Sequence, residues 1–235
     1  MKLYAIADLH LSFSLPKRMD IFCGWEDYEA TIAQNWQRKI TSNDIVVIAG
    51  DISWGMNFEE SAKDFEFINA LPGQKLIIKG NHDYWWNSAK KTKEFWHKQN
   101  LSTLQLLHNN AFKIGNIAIC GTRGWGAETT TNQDADKILN REAIRLETSI
   151  SKGIEKQPRE VIVFLHYPPL STAKEQTPIL DILRKYKGIV THCFFGHLHG
   201  AAIPNAFTGF YEGIRFQLIS ADAINFDPLL ITNLN

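Results

Sequence analysis

Cysteine is scarce in this chain: Cys23, Cys120 and Cys193 are the only three in 235 residues, and no two form a C-x-x-C pair. An odd, dispersed set argues against a disulfide framework and for a reducing compartment, with a buried thiol the expected role of each. Charge of one sign is also lacking. Lys plus Arg and Asp plus Glu both number 25, so the formal net charge is zero. A chain that coats nucleic acid or a membrane surface usually carries a basic excess, so neither is an expected partner, although a local site can still be cationic. Long apolar runs are missing too: no window approaches the roughly 20 apolar residues that span a bilayer. Met1 and Lys2 lead directly into LYAIADLH, with no apolar leader or small-residue cleavage site. The expectation is a soluble, cytoplasmic protein. No repeat, low-complexity tract or linker divides the chain, and 44% hydrophobic residues suffice for a real core. A single domain over residues 1–235 is therefore expected.

What is present is a set of short apolar runs. KLYAIA (Lys2–Ala7), DIVVIA (Asp44–Ala49), KLIIK (Lys75–Lys79), EVIVFL (Glu160–Leu165) and IVTHCFF (Ile189–Phe195) are rich in β-branched or aromatic residues and end in polar or turn-prone clusters. They read as buried strands. Tyr28–Ile40, Glu59–Leu71, Ser88–Gln99, Asp134–Lys152 and Ile179–Lys185 carry apolar residues at three- and four-residue spacing and read as helices. Strand alternating with helix predicts a largely parallel sheet. Ala111–Cys120 reads as a hairpin turning at Gly115-Asn116, and Ile214–Ser220 and Pro228–Thr232 add strands near the end. The fold class is α/β (α+β), two packed mixed sheets with helices outside. Leu11–Trp25 and Leu170–Pro178 are the longest irregular stretches and candidate loops beside a site.

Each of the five buried strands ends in metal-binding residue types. Asp8 and His10 follow the first, Asp51 the second, Asn81, His82 and Asp83 the third, His166 the fourth, and His197 and His199 the fifth. Carboxyl ends of parallel strands share one edge, where open α/β sheets bind ligands. An Asp after a strand is often only a helix N-cap, but five such termini together exceed that explanation. Aspartate oxygen, imidazole nitrogen and one amide oxygen, with no thiolate, suit manganese, iron, zinc or nickel. Seven candidates (Asp8, His10, Asp51, Asn81, His166, His197 and His199) exceed one four-coordinate ion and suit two ions sharing a carboxylate. Such a pair, roughly 3.5–4 Å apart, can clamp an in-line displacement at phosphorus.

D-x-H, GD, GNHD, a strand-end His and GHxH, in this order, resemble the calcineurin-like metallophosphoesterases, and the resemblance runs from Asp8 to His199. It implies a β-sandwich flanked by helices, the four-layer αββα arrangement. It implies Asp8, His10 and His199 on one metal, Asn81, His166 and His197 on the other, and Asp51 bridging both. It further implies attack on a phosphomonoester or phosphodiester by a hydroxide bridging the metals, manganese foremost, with His82 protonating or stabilising the leaving oxygen and Asp83 orienting His82. Two divalent ions, less Asp8, Asp51 and a hydroxide, would leave a site of about +1 that attracts phosphate. Trp54 stands where purple acid phosphatases place a metal-binding Tyr, and GNHD replaces the GNHE of the protein serine/threonine phosphatases. The pattern is closest to the phosphodiesterase-like bacterial type.

Two further residues are substrate-binding candidates. Trp86 lies in the aromatic run after Asp83 and could stack a nucleobase or aryl group. Arg123 in GTRGWG could grip a phosphate oxygen. The expected partner is a small phosphoester, nucleotide-like in one reading. The competing readings are a nuclease, to which the Lys90, Lys91 and Lys93 cluster would contribute, and a non-catalytic binding scaffold of the same fold, against which the intact ligand blocks stand.

Overall fold

The computed structural model describes residues 1–125, 133–174 and 176–234. Residue 126 of GTRGWG and residue 175 of the expected loop before Pro178 lie outside these bounds.

The chain runs β1 (Lys2–Ile6), α1 (Tyr28–Lys39), β2 (Ile45–Ala49), α2 (Ala62–Ala70), β3 (Gln74–Ile78), α3 (Ala89–Lys98), β4 (Leu104–Leu106), β5 (Ala111–Ile114), β6 (Ile117–Thr122), α4 (Gln133–Ile154), β7 (Glu160–Leu165), α5 (Pro178–Lys185), β8 (Val190–Phe195), β9 (Gly209–Tyr211), β10 (Ile214–Leu218) and β11 (Leu229–Asn233). A five-stranded sheet has the order β11-β1-β2-β3-β4 and a six-stranded sheet the order β5-β6-β7-β8-β10-β9. The centre of each is parallel, and the antiparallel pairs β1–β11, β5–β6 and β9–β10 lie at the margins. The expected hairpin is β5–β6, with Ile114 opposite Ile117 across its turn.

Three apolar layers follow from side-chain alternation. In β1, Leu3 and Ala5 join Val47, Ile78, Ile119, Ile162 and Phe164 between the sheets. Tyr4 and Ile6 face the other way, toward α1 to α3, where Ile32, Trp36, Phe65 and Trp96 pack. The second sheet turns Val161, Val163 and Cys193 onto α4 and α5. Helices thus cover both outer faces, the four-layer sandwich expected. Both faces of the central strands are buried, which is why those strands read as continuous apolar runs rather than alternating ones.

Three local expectations shift. The second helix begins at Ala62 rather than Glu59, because residues 57–60 close a turn in which Asn57 Oδ1 accepts from the Glu60 amide and Glu60 accepts from the Met56 amide. The three-residue strands β4 and β9 are too short to leave a pattern. Cys120 and Cys193 are buried as expected, but Cys23 is exposed.

Among the described residues, no helix is long and apolar enough to cross a membrane.

Phe164 is fully buried between the sheets and stacks on Phe194 at 5.4 Å. Phe164→Ala should lower the unfolding free energy by about 3–5 kcal/mol, read from a denaturant midpoint. A loss within the error of that midpoint would contradict this account of the inter-sheet core.

Candidate metal centre

The five strand ends meet, but not on one sheet. Asp8, Asp51 and Asn81 follow β1, β2 and β3 of the first sheet, whereas His166, His197 and His199 follow β7 and β8 of the second. The two sheets align their carboxyl edges. Backbone bonds stitch those edges together: the Ala7 amide donates to Ile219 O at 2.9 Å, and the Ala221 amide to Ala7 O at 3.0 Å.

Two groups of ligand atoms emerge, Asp8 with His10 and His199, and Asp51 with His166 and His197, each within 4.8 Å of one another. His197 and His199, only one residue apart, therefore fall into different groups. Asn81 joins the second, its Oδ1 2.6 Å from His166 Nε2. Asp51 Oδ2 lies 3.5 Å from His166 Nε2 and 3.8 Å from His10 Nε2, so it reaches both groups. All seven ligand candidates lie here.

Bringing them this close strains the backbone. Asp8, His10, Asp51 and His197 have φ of 61°, 46°, 50° and 75°. A left-handed non-glycine residue costs on the order of 1–3 kcal/mol where the surroundings enforce it. Hydrogen bonds enforce it here: the Asp8 amide donates to Gly50 O, the His10 amide to Asp51 O, and the His197 amide to Asp8 Oδ2, each at 2.9 Å. Glycine supplies the clearance. A Cβ on Gly80 would lie 2.0 Å from Asp51 Oδ1, and one on Gly196 would lie 2.4 Å from Asp8 Oδ2.

The donor set fits divalent cations on two observations. First, Asp8 Oδ1 is buried with no hydrogen-bond partner among the described residues. Second, the ring nitrogens are prepared. His166 Nδ1 lies 3.1 Å from Ala49 O, and His199 Nδ1 lies 2.9 Å from Asp222 Oδ1. An N–H at each Nδ1 donates outward and leaves Nε2 facing the centre. The electrostatics agree. Burial opposes charge on Asp8, but the His199, His166 and His10 rings hold its carboxyl well below the usual range. Burial also opposes charge on His199, yet Asp8 and Asp222 lift it to about 10. Burial lowers His10 to about 3, and burial with the His166 ring lowers His197 to about 4. Without an ion, one proton on His199 balances Asp8; a cation would displace it.

The third-strand turn departs from expectation. The resemblance implies that Asp83 orients His82. Instead its Oδ2 accepts from the amides of Asp51 at 3.0 Å and Gly80 at 2.7 Å. Its Oδ1 accepts from the amides of Ile52 at 2.8 Å and Ser53 at 3.3 Å and from Trp85 Nε1 at 2.9 Å. With five donors on two oxygens, none of its bonds reaches the His82 ring, and His82 Nδ1 has no partner among the described residues. His82 is held differently: its amide donates to Asp51 Oδ1 at 2.8 Å, and its ring packs on Trp54 at 4.5 Å. Burial keeps His82 below its ordinary value.

Trp86 and Arg123 do not reach this cluster. They line a separate cavity of about 300 Å³ that none of the seven ligand candidates lines. The cavity over the cluster, about 440 Å³, is walled by Met19, Phe22, Cys23, Trp25 and Trp54 beside His10, His82 and His199. Four of these wall residues come from the irregular stretch 11–25, whose position beside the site the sequence suggested without naming the side chains. Asp222 was missed altogether. The signal was present, since it follows the strand β10 much as Asp8 follows β1.

An α/β sandwich with paired Asp and His groups where its two sheets meet defines a scaffold with a candidate metal centre at that edge. The family model for calcineurin-like phosphoesterases matches residues 1–201, and the chain belongs to that family. An uncharacterized protein of Methanocaldococcus jannaschii is 30% identical over 84 residues, 35% of this chain and 47% of that protein. The Gene 66 protein of Mycobacterium phage L5 is 33% identical over 78 residues, 33% of this chain and 37% of that protein. The matched stretches thus span less than half the length of either relative. A crystal structure of the protein TT1561 of Thermus thermophilus is 11% identical with a TM-score of 0.53, covering 84% of this chain and 81% of that one, and shares the fold.

Two outcomes are expected. Asp222→Asn should weaken divalent-metal affinity about 10–100-fold, measured by competition with a chromophoric chelator; unchanged affinity would remove Asp222 from the centre. Because His199 must lose a proton held to about pH 10, metal affinity should rise with pH between 6 and 9, by up to about tenfold per unit. A flat profile would contradict the proton displacement.

Proposed function

We propose that this chain is a metal-dependent phosphoesterase that hydrolyses a phosphomonoester or phosphodiester of a small organic alcohol. The observation that carries this reading is Asp51 Oδ2, within 3.8 Å of His10 Nε2 and 3.5 Å of His166 Nε2. One carboxylate is thereby shared between two groups of ligands. In this reading Asp8, His10 and His199 hold one ion, Asn81, His166 and His197 hold the other, and Asp51 serves both. Manganese is the first candidate, with iron, zinc and nickel compatible with the same N/O donors. Two divalent ions bound there would supply Lewis-acid charge toward a phosphoryl oxygen and lower the pKa of an attacking water.

The chain's own residues bind, orient and move the proton. His82 sits where the cluster opens into the apolar cavity, held by Asp51 from below and by Trp54 at the side. A neutral imidazole keeps one N–H, which can bond to the leaving oxygen and pass its proton as that oxygen departs. Asp83 contributes by fixing the loops that present Asp51 and His82. Met19, Phe22, Trp25 and Trp54 exclude water and cover the organic part of the ester, and about 440 Å³ accommodates an aryl or nucleoside-sized group. Lys17, with Nζ 4.0 Å above the Trp54 ring, adds positive charge beside the opening. A nuclease reading has less support, since none of Lys90, Lys91 and Lys93 lines the cavity over the cluster.

The deciding assay is metal-stripped protein reloaded with Mn, Zn, Fe, Ni or Mg and offered an aryl phosphomonoester, an aryl phosphodiester and a cyclic nucleotide. Metal-dependent turnover of at least one is expected, and no turnover by protein shown to hold metal would overturn the proposal. His82→Ala should retain both ions while kcat falls about 10²–10⁴-fold. An unchanged kcat would remove His82 from the chemistry.

A further inference from the structure

The cavity that holds Trp86 and Arg123 lies beside the candidate metal centre on the same edge, sharing the end of β3 and using β6 next to β7. Lys79 leaves the end of β3 in the first sheet, and Thr122 and Arg123 close β6 in the second. Arg145 and Glu142 reach it from α4, and Trp86 and His108 complete the wall. The charges there do not balance. Glu142 is the one carboxylate in the lining, and both of its oxygens are engaged: Oε1 by Arg145, and Oε2 by Thr122 Oγ1 at 2.7 Å. Lys79 and Arg123 are half-buried, and among the described residues no carboxylate pairs with either. Two positive side chains therefore face a cavity of about 300 Å³, and among the described residues neither forms an ion pair with a carboxylate.

The geometry is also built rather than incidental. Arg123 O accepts from the amides of His166 at 3.0 Å and Tyr167 at 2.9 Å, which fixes its backbone against the end of β7. Its guanidinium lies over the Trp125 ring at 4.8 Å. A stacked guanidinium is pre-organised to offer parallel N–H donors to a tetrahedral anion. Trp86 and His108 meet at 5.6 Å and give the cavity an aromatic side.

We infer that this cavity is a second, metal-independent anion site that takes a phosphate group between Lys79 and Arg123, with Arg145 and its Glu142 partner as the floor. The inference does not depend on the hydrolytic reading, because binding can be measured without metal or turnover.

The test is calorimetric titration of the full chain, kept metal-free with chelator at low ionic strength, with inorganic phosphate and separately with adenosine 5′-monophosphate. Saturable one-to-one binding is expected, weakening as salt rises. Arg123→Gln should weaken it by at least about tenfold, the loss of a charge-assisted hydrogen bond, and Lys79→Gln should act in the same direction. Among the described residues neither side chain holds an ion pair, so both variants should melt close to the parent; if one does not fold, the other decides. Tighter binding of the nucleotide, with the difference removed by Trp86→Leu, would identify a phosphate borne on a ring-containing molecule. Equal binding would identify phosphate alone. No saturable binding by metal-free protein, or binding unchanged in the folded variants, would overturn the inference.

Discussion

Everything at the centre depends on one buried carboxylate that is not a candidate ligand. Asp83, fully buried, gathers four backbone amides and one indole N–H from two loops. Those loops are the ones that follow β2 and β3, and they carry Asp51, Asn81 and His82. Without an acceptor at this point the donors would be stranded in an apolar interior, each at about 1–3 kcal/mol. Burial pushes Asp83 up, and the surrounding donors oppose that shift. The distance between the loops, and hence the access of Asp51 to both ligand groups, follows from this bonding.

Around that anchor the protein accumulates features that would be liabilities elsewhere. Four candidate ligands occupy left-handed backbone, carboxylates press against glycine Cα positions, and among the described residues the buried Asp8 Oδ1 has no hydrogen-bond partner. Such costs gather where function requires a geometry that folding alone would avoid. Cations bound there would answer two of them at once, since they would satisfy Asp8 Oδ1 and replace the proton that His199 otherwise holds against Asp8. The same logic separates the two cavities. One is apolar and opens onto the cluster; the other is cationic and lies beside it along the same edge.

The fold was legible because its central strands are buried on both faces and its helices carry apolar residues at helical spacing. β4 and β9, with three residues each, were not, and their pairing follows from neighbours already in place. The seven ligand candidates were legible because each follows a strand, and a strand's end fixes where the next residue lies. His82 shows the limit of such reasoning. Its adjacency to Asp83 in sequence suggested a pair, but the turn directs the carboxylate inward to backbone amides and the ring outward to Trp54. Trp86 and Arg123 show it again, placed in one cavity together but not in the cavity expected.

The sequence by itself determined the residue types at the strand ends, the apolar runs that bury them, and therefore the family and its N/O donor set. Tertiary structure alone decided that the edge is shared by two sheets, that Asp222 backs His199 from 23 residues away, and that Asp83 anchors loops rather than a ring. The reason is physical. A strand terminus is fixed by local pattern and hydrogen bonding, whereas the partner of a buried carboxylate is set by whichever donors packing leaves unsatisfied, and those come from segments distant in the chain.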